Sequence, residues 1–429
     1  MSEIKYPQLI PNTYPHQLLR LSPPHCSSLY FNYSAYSPDG RYVIISTPRG
    51  ISRLTVGTWE SEPVADIGGE WKLLFTGRKT GRIWYEVNKS EIWTVGINDT
   101  PSGSSQTKIC DIPPGSEVQS LNADETLLAL VRVEPSFRHP MLDFFANRDK
   151  KTDQFDYRAQ WPDGTEMCYA DAKEVKLAQR LEAEIPMEIF TLNTETGEQN
   201  VVRKSTDWLN HLMFSPTDPN VLMYCHEGPW HLVDRLWYIT LNSSSSPSNS
   251  SPSSSDSLPT PVKVHERRMN MEIVGHEWFS ADGQTIWYDL ETPRGQSFWV
   301  AGYHLPTGTR QWYHLLRNDW SVHFHSNSTN TLFCGDGADD TMVAHADDAK
   351  YLYLFTPMDT PDVAGLKASN SGQLIRGGHL DRENLVDLKG NDYRLEPNAN
   401  FTPDGEWVVF RSNMDGEMAV YAVKVQADK

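Results

Sequence analysis

Histidine is the side chain in this sequence best suited to chemistry near neutral pH, because its ordinary pKa lets it take up a proton or ligate a metal there. Of the 14 histidines, several fall in one stretch: His211, His226, His231, His276, His323 and His325. Taken singly, each is more often a hydrogen-bonded structural or surface residue than a reactive one. Their recurrence beside Glu or within apolar, strand-like runs is the signal, since a repeating fold brings such positions to a common cleft. Glu227 and Glu277 each follow a histidine directly. On a strand they would point to the opposite face, so they read as structural.

The elements that must position these residues repeat along the chain. Ser37-Pro38-Asp39-Gly40, Ser280-Ala281-Asp282-Gly283 and Thr402-Pro403-Asp404-Gly405 each lead into an alternating apolar run. Asp-Gly supplies the positive φ angles of a tight hairpin, and the alternation marks a half-buried strand. Weaker copies begin at Asn122, Ser215 and His325, and a seventh is expected near Gly69. Seven units of roughly 61 residues suit four-stranded blades with long loops. A second signature, an apolar strand ending in a Thr-Gly turn, appears at 189–197 and 299–308 and reads as a blade's outer hairpin. The expected fold is therefore all-β, a seven-bladed β-propeller forming a single domain over residues 1–429. Its innermost strands converge on an axis, which lets histidines distant in sequence share a site.

Two segments interrupt the repeat. Residues 135–186 contain one helix, predicted over Asp171 to Glu184 with Val175, Ala178 and Leu181 on one face. Residues 242–257 are nearly all Ser, Pro and Asn, which cannot bury a core, and are expected to form a disordered surface loop.

Composition bounds the partners. A formal charge of -18, with no dense Lys/Arg run to offset it, argues against nucleic acid and anionic membrane surfaces. It also repels a polyanionic substrate, so a site for an acidic sugar needs its own cluster of positive charge from Arg, Lys or a metal ion. Neither a signal peptide nor a run of 18 apolar residues is present, which predicts a soluble, unexported protein. Five cysteines without close pairs suggest neither a disulfide framework nor a Cys-type zinc site, and fit a reducing compartment. Gly335-Asp336-Gly337-Ala338-Asp339-Asp340 lacks calcium-loop spacing and reads as a turn. A propeller-plus-hydrolase peptidase is excluded, because the chain has no Gly-x-Ser-x-Gly elbow.

The strings CHEGPWHLVDRLW (225–237), GHEWFSADGQTIWYD (275–289), WSVHFH with GDGAD (320–339) and LEPNANFTPDGEWVVFRS (395–412) resemble the oligogalacturonate lyase family. The likeness spans nearly the whole chain. It implies a cytoplasmic seven-bladed propeller that cleaves digalacturonate and other short pectin-derived oligosaccharides by β-elimination. It also implies a divalent metal, typically manganese, and a histidine base. The base of the family's His-Glu-aromatic motif matches His276, and the substrate-binding Arg matches Arg235. One metal ligand matches His323. Three further ligands come from a Gln-x-x-His-x-His string, where this chain departs: Tyr393, Glu396 and Asn398 stand at those positions. Oxygen donors from Glu and Asn suit manganese, magnesium or calcium. His211, His226 and His325 are candidates for further ligands or substrate contacts. The competing reading is a propeller that only presents loops to a protein or carbohydrate partner, which predicts scattered histidines. A lyase requires His276, Arg235 and His323 in one polar cleft on the axis.

Overall fold

The computed structural model describes residues 5–138, 159–241, 258–361, 370 and 374–427. The Ser/Pro-rich segment 242–257 lies outside the described residues.

The repeated hairpins form as the sequence directs, with one difference in their chemistry. Gly40, Gly283 and Gly405 adopt φ of 71°, 69° and 73°, whereas the preceding Asp residues do not join them at positive φ. Each Asp instead accepts hydrogen bonds within the turn, as Asp39 Oδ1 does from Ser37 Oγ at 2.6 Å and Arg41 N at 3.2 Å. Where glycine is missing, Glu125 and Asn330 take the strained position, at φ of 67° and 55°. The seventh copy is displaced from its expected start. Trp71–Thr76 is the strand before the turn, and the turn itself is closed by Gly81 N donating to Gly77 O.

The sheets group into seven blades. The first has strands Tyr42–Thr47, Gly50–Thr55 and Ser61–Asp66, with segment 27–36 bridged along its inner edge. The next four begin on inner strands Trp71–Thr76, Ser116–Leu121, Trp208–Phe214 and Ile273–Phe279. The sixth begins at Phe324–Ser326 and the seventh at Asn400–Phe401. The fifth and sixth blades touch edge to edge through a parallel pairing of Thr309–Leu315 with Ile375–Asp387. In the seventh, the N-terminal strands Gln8–Ile10 and Leu18–Arg20 add onto Ala419–Lys424, in the register Leu18↔Val423, and so close the ring.

Alternate side chains of each strand face the two neighbouring blades, and the core is the series of inter-blade layers this creates. Met223, Cys225 and Leu236 of the fourth blade, for example, pack against Val274, Tyr288 and Leu290 of the fifth.

The inserted helix, α1, spans Tyr169–Glu182. Its buried stripe differs from the expected one: Ala170 and Leu177 are buried while Ala178 is exposed. Leu177 packs against Trp230 and Ile273, which holds α1 over the fourth and fifth blades. Lys173 and Glu174, three and four residues after Ala170, lie on that same inward stripe. No helix among the described residues is long and apolar enough to cross a membrane.

Candidate active site

Breaks in strand alternation build the site. In the fourth blade, pairing of Trp208–Phe214 with Val221–Glu227 shifts register between Asn210 and Met213. His211 sits in that irregularity at φ of 51°. Its Nε2 lies 2.9 Å from Glu227 Oε1, and its Nδ1 lies 3.3 Å from Glu277 Oε1 on the fifth blade. Arg235 opens the return strand of the same hairpin and bridges the same carboxylates: Nη1 donates to Glu227 at 3.3 Å and Nε to Glu277 at 3.4 Å.

These four groups form a quartet with two charges of each sign, in which Arg235, Glu227 and Glu277 are buried and His211 is partly exposed. Burial alone would lower the His211 pKa, but its bonds to Glu227 and Glu277 outweigh that and raise it to about 9. Burial would likewise raise Glu227, yet the Arg235 charge and the His211 bond hold it well below the usual carboxylate range. The structural reading of Glu227 and Glu277 as outward-pointing is thus overturned. In the fourth blade it is His226 that turns away from the cleft. Its Nδ1 lies 3.3 Å from Asp207, and its ring centre is 5.3 Å from that of Trp237. Alternation along the strand assigns the inward direction to Glu227, so His226 is not brought to the other candidates. His325 is similarly separate, its Nδ1 accepting from Phe401 N at 3.3 Å.

A second irregularity, between Val274 and Glu277, lifts His276 out of the fifth blade's ladder. The space beneath is made by Gly275: a Cβ there would fall 1.7 Å from Asp289 Oδ1. Asp289 Oδ2 accepts from Trp320 Nε1 at 3.2 Å, and burial pushes its pKa up to about 7. The His276 ring meets His323 edge-on, with centroids 4.6 Å apart. Burial above all, with the nearby charges of Arg235 and Lys173 adding to it, holds the His276 pKa well below its ordinary value. At neutral pH this imidazole is uncharged and able to accept a proton.

His323 is fully buried and oriented by Asp336, whose Oδ2 lies 2.8 Å from His323 Nδ1. Asp336 also accepts from the backbone of His323 at 2.8 Å and of Asn398 at 3.0 Å. On its other side, His323 Nε2 lies 3.1 Å from Tyr30 Oη and 3.7 Å from Glu396 Oε2. Asp336, which the sequence reads only as part of a turn, is the residue that orients His323. Pairing of Phe324 with Gly335 sets it opposite His323.

The donors available to a divalent metal can be judged from this arrangement. Nδ1 of His323 is committed to Asp336, so Nε2, which meets the Tyr30 hydroxyl at 3.1 Å, is the ring atom that would have to turn to a metal. Asn398 is fully buried with no partner for its Oδ1, and the Glu396 carboxylate is close to His323. Tyr393 is not a donor, because its hydroxyl donates to the Asp336 carbonyl at 2.8 Å. No cluster of three or more His, Cys, Asp or Glu is found among the described residues. One imidazole, one carboxylate and one orphaned amide oxygen fit a hard, oxygen-preferring ion.

His276, Arg235, His211, Glu227 and Glu396 line one cleft of about 670 Å³, with Lys173 of α1 entering from above. A wider opening nearer the axis is lined by Tyr30, Asn210, His211 and Arg411.

The oligogalacturonate lyase family model matches residues 183–428. An oligogalacturonate lyase of Dickeya dadantii (strain 3937) is 23% identical over 439 residues, covering 95% of this chain and 93% of that protein. An oligogalacturonide lyase of Pectobacterium atrosepticum is 27% identical over 247 residues, or 55% of each chain. Among solved structures, an oligogalacturonate lyase in complex with manganese superposes with a TM-score of 0.65 at 18% identity, covering 99% of both chains. The Vibrio parahaemolyticus oligogalacturonate lyase gives 0.67 at 18% identity, over 98% of this chain and 99% of that one. These two likenesses establish the common propeller fold.

Proposed function

The chain belongs to the oligogalacturonate lyase family, and we propose that it cleaves digalacturonate and trigalacturonate by β-elimination, releasing a 4,5-unsaturated uronate. The observation that carries this reading is His276, set edge-on to His323 and lining a cleft together with Arg235. A scaffold that only displays loops has no need for His276 and Arg235 to line one cleft with His323 packed directly behind the base.

In the reaction, the His276 imidazole accepts the proton on carbon 5, next to the uronate carboxylate. The electrons of that C–H bond form the C4=C5 double bond. The C4–O bond breaks, and the departing oxygen is protonated from solvent. Arg235 acts from a fixed position, held by Glu227 and Glu277, and its charge adds to the burial that keeps His276 deprotonated. His211 supplies a second positive charge to the cleft wall. His323, Glu396 and Asn398 would hold a divalent ion, manganese, magnesium or calcium. When bound, such an ion supplies Lewis-acid neutralisation of the uronate carboxylate.

The ring closed by both ends of the chain supports one propeller domain over residues 1–429. The cysteines, free at Cys26, Cys110, Cys168, Cys225 and Cys334, favour the cytoplasm as its compartment. An acidic oligosaccharide is the partner; nucleic acid and membrane are not.

The test is ultraviolet absorbance of the unsaturated uronate while purified protein meets digalacturonate, first with EDTA and then with each metal restored. Product that grows on adding metal is the expected result. No product under any condition would overturn the reading.

A further inference from the structure

Lys173 has no part in the roles assigned above, yet it stands where an acidic sugar would meet the base. It lies on the inward stripe of α1, between the buried Ala170 and Leu177, where a lysine is otherwise an unfavourable choice. Its Nζ is 5.5 Å from the centre of the Trp230 ring, and it lines the cleft with His276 and Arg235. The adjacent Glu174 is taken by Arg294. Among the described residues, no carboxylate pairs with Lys173.

The charges of the cleft make this lysine distinctive. Arg235 is 4% exposed, with Nε and Nη1 both engaged by carboxylates. Arg235 and His211 together balance Glu227 and Glu277, so the quartet offers no net charge to a ligand. Glu396 adds a negative charge to the wall. Among the described residues, Lys173 is the lining cation with no carboxylate in ion-pair contact, its charge reaching Glu227 only through space, in a protein whose overall charge of -18 repels uronates. An ammonium on a flexible stem, half-buried against an aromatic ring, is well suited to receive a carboxylate.

We infer that Lys173 is the carboxylate-binding residue of the cleft, receiving the uronate of the sugar next to His276 and so selecting free galacturonate over its methyl ester. This rests on the galacturonide-cleaving reading, and the role is one of binding and positioning.

The experiment is calorimetric titration of D-galacturonate, and separately of its methyl ester, into wild type, Lys173→Gln and Lys173→Arg. The monosaccharide has no glycosidic bond at carbon 4 and cannot be eliminated, so binding is read free of turnover. Lys173→Gln should weaken galacturonate at least about tenfold, and Lys173→Arg should restore most of that loss. The methyl ester should bind all three proteins alike; a lysine that merely supports the helix would affect both ligands equally. Equal galacturonate affinity in wild type and Lys173→Gln, or no binding to wild type, overturns the inference. Product formation from digalacturonate is scored independently. Selective loss of binding in a protein that forms no product sinks the lyase reading alone, and product with unchanged binding sinks this inference alone.

Discussion

The quartet of Arg235, His211, Glu227 and Glu277 shows how single residues are given charge states that their types alone do not dictate. His211 has its ordinary pKa of 6.5 raised to about 9 in the fold. Its protonation therefore stabilises the native state fully below pH 6.5, and that contribution is lost as the pH climbs through about 9. The shift corresponds to roughly 3 kcal/mol. Thermal melting followed from about pH 6 to about pH 10 should show wild type losing stability across this window. His211→Gln should start lower and change less, and a variant that tracks wild type at every pH would contradict the assignment. Residue types and motifs single out His276, Arg235 and His323 in the sequence, and the fold sets His276 against His323 and beside Arg235 in one cleft wall. His226 was misjudged because strand alternation turns it toward Asp207 and Trp237. Asp336 reads as part of a turn in the sequence because its partner, His323, lies across a hairpin.

At the scale of elements, the site depends on irregular strands more than on regular ones. The break between Val274 and Glu277 presents His276, and it requires Gly275, whose missing side chain leaves room for the Asp289 carboxyl. Gly275→Ala places a methyl group against the buried Asp289 carboxyl, which is held by Trp320 and must shift to admit it. It should lower stability by at least about 2 kcal/mol. It should also reduce kcat/KM about a hundredfold, since a small displacement of the base is enough to do so. Urea unfolding and steady-state kinetics would check the two halves separately; an active, fully stable variant would contradict this account of the strand. Asp-Gly turns announced the hairpins, but nothing in local periodicity marks where a ladder will break. The helix was recognised for the same periodic reason, yet its stripe was rotated from expectation. Leu177 answers to Trp230 and Ile273, which are remote in sequence.

For the whole molecule, the repeat made the seven-bladed ring readable, while its closure was not. The pairing of Leu18–Arg20 with Ala419–Lys424 joins segments some 400 residues apart, and neither carries a local sign of the other. The ring also sets the electrostatic setting, in which an acidic protein binds an acidic sugar. Raising ionic strength from about 0.01 to about 0.15 M shortens the screening length from about 30 to about 8 Å. Long-range repulsion should fade more than the short-range attraction inside the cleft. The kcat/KM for trigalacturonate is therefore expected to hold or rise with salt, and a steep fall would mean that attraction by the outer surface governs encounter.

The proposed function turns on His276 as the group that takes the proton, so the most direct measurement is chemical rescue of His276→Ala. With digalacturonate as substrate, the variant should lose at least about a thousandfold in kcat. Added imidazole should restore part of that loss in proportion to its uncharged fraction. Full activity in His276→Ala without imidazole would contradict the account and assign the base to another residue of the cleft.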